Sequence, residues 1–312
     1  MRIAIFGAGA EGGFFGALLA NAGNDVIFIA REQTLNALRT NGLCIKSQSL
    51  GEIVLRVNAT DRPDEVEPVD LVMFCVKTYD LDAAAKQMLP LVGINTTIIP
   101  IQNGVDAAED IGKIVGMEHL LGGVSWVNAT VEKPGVIAHG GSTRLIFGEL
   151  KGGITGRAER IRKTLTEAKI EAELHTNIRE ALWEKLVINS AVSGIFSLTR
   201  LPAGPVLDCS DTKQLLIDTL KENSEVAKAC GFALPGNFID ETMKKLEGYA
   251  RWVRPSMQVD LIAGRRLELE SMIGAIVRLG RENGVETPIN STIYRALKPH
   301  LNGMPSIPAP PK

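Results

Sequence analysis

Residues 1–31 read MRIAIFGAGAEGGFFGALLANAGNDVIFIAR, and this stretch decides the fold. Ile3 to Phe6 is a short apolar run, as expected of a buried strand, and Gly12 to Ala22 is rich in Ala and Leu, which favour helix. Asp25 to Ile29 is a second strand-like run. The stretch therefore predicts a strand, a helix and a second strand, with a glycine-rich turn after the first strand.

The glycine-rich turn has the sequence GAGAEG at residues 7–12. In this G-x-G-x-x-G pattern Gly7 allows a tight turn, Gly9 lets a pyrophosphate approach the backbone, and Gly12 lets helix and strand pack closely. The helix N-terminus adds free N–H groups and a positive dipole end. A glycine turn without a ligand is the alternative, but the flanking strand and helix favour a dinucleotide site. Its predicted members are Gly7, Ala8, Gly9, Ala10, Glu11 and Gly12.

The end of the second strand indicates which dinucleotide is bound. An NAD site usually carries Asp or Glu there, on the ribose 2′-hydroxyl. This chain has Arg31, whose guanidinium suits a 2′-phosphate, so NADP in its reduced form, NADPH, is predicted. The adjacent Glu32 keeps NAD as an alternative, and a solvated loop residue is the plainer interpretation of Arg31.

The strand and helix pattern continues through the first half of the chain. Its strand-like runs are separated by helical stretches, which indicates βαβ units and a mostly parallel sheet. Besides a helix at 33–41, the predicted strands are 43–46 and 53–57 (a two-strand excursion), 70–76, 97–101 and 120–127. Lys77 and Asn103 follow two of these strands, at the carboxyl edge where α/β sheets bind ligands. Each alone is equally well explained as a turn residue.

The pattern becomes almost entirely helical after about Thr176. The predicted helices are 178–193, 211–230, 240–251, 258–283 and 290–301. We therefore expect an α/β, Rossmann-type N-terminal domain at 1–176 and an all-helical C-terminal domain at 177–303, with the active site in the cleft between them. The proline-rich tail, residues 304–312, is predicted to be disordered.

The first of these helices carries a polar stripe. Lys185, Asn189 and Ser193 are spaced i, i+4, i+8 and so share one face. A lysine on such a helix is often a surface residue that snorkels to water. An asparagine inside an apolar helix needs hydrogen-bond partners, and a substrate would supply them.

Two further polar residues occur near the predicted fourth helix. Ser256 and Glu268 are 12 residues apart, about 120° on an ideal helix, so their spacing does not place them in one site. A bend at Gly264 would change that geometry. Glu268 is either a carboxylate paired with a base or a solvated charge near Arg265 and Arg266.

Composition excludes several classes of function. The 34 basic and 36 acidic side chains nearly cancel, which argues against a nucleic-acid partner. Apolar runs stop well short of 18 residues and no secretory signal is recognised, so neither a membrane span nor export is expected. The four cysteines form no C-x-x-C pair and the four histidines no H-x-x-x-H pair, so neither a disulfide framework nor a metal site is predicted. A cytoplasmic location is the expectation.

Taken together, the motifs resemble the ketopantoate reductase (2-dehydropantoate 2-reductase) family, over nearly the whole chain up to about Asn302. Their common order and spacing are far more specific than any one of them. They are GAGAEG at 7–12, CVKT at 75–78, QNGV at 102–105, WEKLxxN at 183–189, SMxxD at 256–260, GRxxE at 264–268 and GRENGVETP at 280–288.

The resemblance implies NADPH-dependent reduction of ketopantoate to (R)-pantoate, a step of pantothenate and coenzyme A biosynthesis. It implies Lys185 as the general acid that protonates the ketone oxygen, and Glu268 as the residue that holds a substrate hydroxyl and orients the lysine. Asn103, Asn189, Ser193 and Ser256 would bind the 2-oxo acid. Besides the glycine loop, the cofactor would be contacted by Arg31, Lys77, Asn103 and Glu268.

Two positions depart from the family pattern. Ser193 stands where the family usually has a second asparagine, and Pro255 where it often has serine. A related 2-oxo acid reductase that makes a different D-2-hydroxy acid is therefore the first alternative. A non-catalytic NADP-binding sensor is the second. The helical half is a candidate dimer interface, so a homodimer is retained as an expectation.

Overall fold

The computed structural model describes residues 1–305, and these fold into two compact units. Unit 1 comprises Met1–Gln102 and Asp106–Leu182. Unit 2 comprises Asn103–Val105 and the chain from Trp183 onward. The predicted tail, 304–312, falls mostly on residues 306–312, which lie outside the described residues.

Unit 1 holds the strands and five complete helices of the described chain. Its strands are β1 (Arg2–Phe6), β2 (Asp25–Ile29), β3 (Leu43–Ser47), β4 (Gly51–Leu55), β5 (Asn58–Thr60), β6 (Leu71–Phe74), β7 (Thr97–Pro100), β8 (Leu121–Ser125), β9 (Ala129–Lys133), β10 (Val136–His139), β11 (Leu145–Glu149) and β12 (Ala172–Leu174). Its helices are α1 (Ala10–Asn21), α2 (Glu32–Asn41), α3 (Leu81–Met88), α4 (Ala107–Val115) and α5 (Gly156–Glu167).

The main sheet of unit 1 is parallel throughout, with the strand order β5-β2-β1-β6-β7. Side chains alternate across a strand, so a strand covered on both faces must be apolar at every position. Ile3 and Ile5 pack in one core cluster with Phe14 of α1, whereas Ala4 and Phe6 pack in another. The predicted α/β, Rossmann-type architecture with a mostly parallel sheet is confirmed.

Two smaller sheets complete unit 1. Their strand orders are β4-β3-β10-β9 and β12-β11-β8. The strands β9 to β12 were not predicted. The sequence of β9, ATVEK, is largely exposed and polar, and so gives no apolar alternation to detect.

Unit 2 is helical, as predicted, and begins within a long helix that starts in unit 1. The helices are α6 (Ile178–Thr199), α7 (Ala203–Asp208), α8 (Ser210–Ala229), α9 (Phe238–Glu247), α10 (Ser256–Ile262), α11 (Ile273–Glu282) and α12 (Pro288–Leu297). The short helix α7 was not predicted.

The single helix predicted over 258–283 is wrong, because the chain leaves helical geometry between α10 and α11. Gly264 has φ +66°, the left-handed conformation in which glycine commonly ends a helix. The Arg265 N–H donates to the Asp260 carbonyl at 2.8 Å, and the Arg265 side chain pairs with the Asp260 carboxylate at 2.8 Å. Glu268 consequently lies in a non-helical segment.

A largely buried ion pair fixes the end of β11 to the start of α5. Arg157 donates to Glu149 through Nε at 2.8 Å and through Nη2 at 2.6 Å, and the Thr155 hydroxyl donates to the same carboxylate at 2.6 Å. The hydrogen bonds from Arg157 hold the pKa of Glu149 below its ordinary value of about 4.5. A carboxyl whose pKa is depressed by folding stabilises the fold above its unfolded pKa, and this contribution is lost as pH falls through the folded pKa.

We expect Glu149→Gln to lower the free energy of unfolding by about 2 kcal/mol at pH 7, because Arg157 loses a partly buried partner. The deficit relative to wild type should shrink as pH falls below about 4.5. Urea unfolding from pH 7 to pH 3 measures both effects. Glu159→Gln is the matched control, since its pair with Arg162 is exposed and should contribute about 0.5 kcal/mol or less. A deficit that stays constant or grows in acid would contradict the assignment.

Candidate active site

The glycine loop, residues 7–12, joins β1 to α1 in unit 1. Gly7 has φ +102°, which disfavours any other residue. A Cβ on Gly12 would overlap the Gly7 carbonyl oxygen and lie 2.9 Å from the Cβ of Cys75. The packing of unit 1 therefore requires glycine at both positions.

Gly9 has a different environment. It precedes the first residue of α1, is exposed, and a Cβ built on it would have no atom within 4 Å. No side chain caps the α1 N-terminus there. Open space in front of the first N–H groups of a helix is what a pyrophosphate needs, so the loop fits a dinucleotide. Ala8, Ala10 and Glu11 lie half-buried between the glycines.

Arg31 and Lys77 follow the two strands that flank β1 in the sheet, β2 and β6. The Arg31 side chain is 67% exposed, and its Nη2 lies 3.1 Å from the Oδ2 of Asp80. Asp80 ends a short 3₁₀ turn, Thr78–Asp80, and its N–H donates to the Lys77 carbonyl at 3.0 Å. Lys77 is half-buried. Sequence reasoning missed Asp80, since nothing in the one-dimensional pattern places it beside Arg31.

Gln102 fixes the end of β7 to the end of β6. Its side-chain amide donates to the carbonyls of Phe74 at 2.8 Å and Val76 at 3.0 Å. Sequence reasoning did not single out this residue, although its 7% exposure explains why a polar side chain there must be bonded internally. The chain then passes from unit 1 into the Asn103–Val105 segment of unit 2.

Three predicted site residues form a hydrogen-bonded row within unit 2. The Asn189 amide donates to the Asn103 side-chain carbonyl at 3.0 Å, and the Asn103 amide donates to the Glu268 carboxylate at 3.4 Å. Gly104 makes this approach feasible, because it has φ +105° and a Cβ there would lie 2.6 Å from the Ser271 carbonyl oxygen. Asn103 thus supplies the hydrogen-bond partner that an asparagine in an apolar helix requires.

Lys185 lies one helical turn before Asn189 on α6. Because α6 is continuous from Ile178 to Thr199, the two residues and Ser193 share the predicted face. Lys185 is only 8% exposed, Glu268 5% and Ser193 1%. Ammonium and carboxylate groups are rarely buried to this degree, and buried charged groups of this kind are found preferentially at functional sites.

Ser256 is a predicted member that the structure does not join to this row. It is the first residue of α10 and is exposed. Among residues 1–305, neither Ser256 nor Ser193 hydrogen-bonds to Asn103, Asn189 or Glu268.

A second polar network, which sequence reasoning missed, holds another face of α6. The Asn223 amide donates to the Val187 carbonyl at 3.0 Å and to the Ser190 hydroxyl at 2.9 Å, and the Asn290 amide donates to the Asn223 side-chain carbonyl at 2.7 Å. The signal was a polar residue on the apolar stripe of α8, one turn from Leu220 and Val226. The network fixes the rotation of the helix that carries Lys185.

No helix within residues 1–305 is long and apolar enough to cross a membrane. The same part of the chain contains no group of three or more His, Cys, Asp or Glu side chains placed to hold a metal ion.

Comparison with known proteins shows what the chain resembles. Residues 3–152 match the family model described as "Ketopantoate reductase PanE/ApbA", and residues 177–301 match its C-terminal counterpart. A 2-dehydropantoate 2-reductase of Archaeoglobus fulgidus is 31% identical over 97% of this chain and 99% of that protein.

Solved structures agree with the sequence relatives. A 2-dehydropantoate 2-reductase from Geobacter metallireducens superposes with a TM-score of 0.91 at 30% identity, covering 96% of this chain and 99% of that one. A D-mandelate dehydrogenase, solved with NADH and anilino(oxo)acetate, superposes with a TM-score of 0.89 at 25% identity, covering 96% and 98%. The two matched family models together span most of the chain, and it is a member of the PanE/ApbA ketopantoate reductase family.

Proposed function

We propose that this chain catalyses the NADPH-dependent reduction of ketopantoate to (R)-pantoate, with Lys185 as the general acid. The observation that supports this most strongly is the buried Lys185, one turn from the hydrogen-bonded row Asn189, Asn103 and Glu268, in a member of a reductase family. Unit 1 would bind the cofactor through residues 7–12, Arg31 and Lys77. Unit 2 would supply the acid and the substrate-binding side chains.

The chemistry of the residues fits carbonyl reduction. When bound, the reduced nicotinamide supplies the hydride. Hydride addition to a ketone builds negative charge on its oxygen, so a cationic donor is worth most in the transition state. The Lys185 ammonium would donate a hydrogen bond to that oxygen and then its proton, which yields the alcohol. A buried donor is more effective than an exposed one, because water does not screen it.

The amide row would orient the substrate. Asn103 has both donor and acceptor atoms engaged, one to Glu268 and one to Asn189, so its side-chain rotation is fixed. A fixed amide presents its remaining N–H and lone pair in set directions, as recognition of hydroxyl and carboxylate oxygens requires. Glu268 would accept a hydrogen bond from a substrate hydroxyl and hold Lys185 in position. Ser256, exposed at the N-terminus of α10, would contact a substrate oxygen.

Ser193 supports a second candidate, reduction of a 2-oxo acid other than ketopantoate. A buried serine offers one donor and less volume than the asparagine usual at this position in the family. The 25% identity to a D-mandelate dehydrogenase gives this candidate a chemical class, the aromatic 2-oxo acids.

Steady-state NADPH oxidation tests the proposal. We expect kcat/KM for ketopantoate to exceed that for phenylglyoxylate, the 2-oxo acid that corresponds to mandelate, by about tenfold or more, the range that pocket contacts provide. The reverse order would favour the second candidate. Tight binding of NADP⁺ without turnover of any 2-oxo acid would indicate a sensor and contradict both reductase assignments.

A further inference from the structure

We infer that Asp80 sets the preference of this chain between NADPH and NADH, by competing with the cofactor 2′-phosphate for the Arg31 guanidinium. This inference rests on the proposed function, because it assumes that the glycine loop holds a nicotinamide dinucleotide. It assigns to Asp80 a role in cofactor discrimination that the strand-end pattern alone did not predict.

The position of the ion pair is the first observation that supports the inference. Arg31 follows β2 and Asp80 follows β6, and these strands lie on either side of β1. Neighbouring strands are about 4.8 Å apart, so β2 and β6 are separated by roughly 10 Å. The ion pair between Arg31 and Asp80 therefore spans the carboxyl end of β1, where the glycine loop begins.

A dinucleotide on this loop would meet the pair directly. In such folds the residue at the end of the second strand contacts the adenosine ribose at its 2′ position. Arg31 holds that place here, and its guanidinium already contacts a carboxylate at 3.1 Å. Whatever occupies the 2′ position must therefore share Arg31 with Asp80 or displace it.

The two cofactors differ in how they meet a carboxylate. A 2′-phosphate is an anion with acceptor oxygens, so Asp80 repels it and competes with it for the same N–H donors. A ribose 2′-hydroxyl is a donor, and a carboxylate is the partner that NAD sites ordinarily provide for it. Arg31 thus favours NADPH while Asp80 favours NADH, and the two determinants are joined in one ion pair.

Asp80, rather than Glu32, is the carboxylate that competes for Arg31. The Arg31 and Asp80 side chains are 67% and 39% exposed, so a bound phosphate can separate them at little cost. Glu32, which the sequence offered as an NAD determinant, is exposed and makes no ion pair with Arg31 among the described residues.

Calorimetric titration of the full-length protein with NADP⁺ and with NAD⁺ tests this, using Asp80→Asn and the matched control Asp82→Asn. Asp82 lies two residues further on, is exposed, and has no ion pair with Arg31. We expect Asp80→Asn to lower the Kd for NADP⁺ about five- to tenfold and to leave that for NAD⁺ unchanged or up to about threefold higher. Raising the salt concentration should reduce the shift, because exposed charges are screened. Asp82→Asn should leave the ratio of the two Kd values within about twofold of wild type.

The fold should tolerate both changes, since the Asp80 side chain does not cap α3 and both aspartates are solvent-accessible. Asp80→Gln provides a second variant with the same loss of charge. An unchanged Kd ratio in both Asp80 variants would overturn the inference. So would a shift seen only with Glu32→Gln. Failure of wild type to bind either nucleotide would instead refute the proposed function, and the two failures are therefore distinguishable.

Discussion

Replacement of Lys185 by methionine is expected to lower kcat by a factor of about 10² to 10⁴, while the Kd for NADPH stays within about twofold of wild type. The side chain is 8% exposed on α6, where a cationic donor to a developing oxyanion is not screened by water. Methionine has a similar length and no charge, so it fills the same volume and removes only the donor. Where kcat of the wild type falls at alkaline pH because the general acid is deprotonated, kcat of the variant should show no such fall.

The control for this measurement is a lysine that lies outside the proposed site. Lys228, on α8, has a side chain that is 66% exposed, and Lys228→Met should leave kcat unchanged. Single-turnover kinetics with saturating NADPH, together with NADPH titration, separate loss of chemistry from loss of binding. A kcat equal to that of wild type would remove Lys185 from the mechanism. A parallel loss of NADPH affinity would make it a cofactor-binding residue rather than the acid.

The parts of this site that the sequence predicted depend on local periodicity. Lys185 and Asn189 could be placed on one face because a helix brings i and i+4 together, and α6 proved continuous. The glycine loop could be placed because β1 is covered on both faces and is therefore apolar from Ile3 to Phe6, which marks the strand clearly.

The contacts that local periodicity did not predict join distant segments of the chain. Asn103 is 86 residues from Asn189 and 165 from Glu268, and only the fold brings the three together. Asp80 meets Arg31 only because β1 is inserted between β2 and β6, an order that strand patterns do not encode. The break at Gly264 was recognisable as a candidate, but the surrounding helical pattern outweighed one glycine.

The glycine loop makes a second prediction of large effect, in which two alanine substitutions separate ligand binding from folding. Gly12→Ala should destabilise unit 1 by about 3 kcal/mol, because the new Cβ overlaps the Gly7 carbonyl oxygen and crowds Cys75. This cost exceeds the gain of about 1 kcal/mol that alanine usually brings inside a helix. Gly9→Ala should cost no more than about 1 kcal/mol, since its Cβ points into open space and affects only the N-cap position.

The two variants should have the opposite order of effect on NADP⁺ binding, which Gly9→Ala should weaken directly. If a pyrophosphate lies against the backbone at residue 9, the Cβ of Gly9→Ala occupies the space that the ligand needs, and NADP⁺ affinity should fall at least about tenfold in a protein of near-normal melting temperature. Thermal unfolding and calorimetric titration of each variant measure the two effects separately. Gly236→Ala is the control, because Gly236 is also exposed with no atom within 4 Å of its Cβ position, and it should change neither quantity. Normal NADP⁺ affinity in Gly9→Ala would mean that the open space before α1 is not where the phosphates bind, whatever the family resemblance implies.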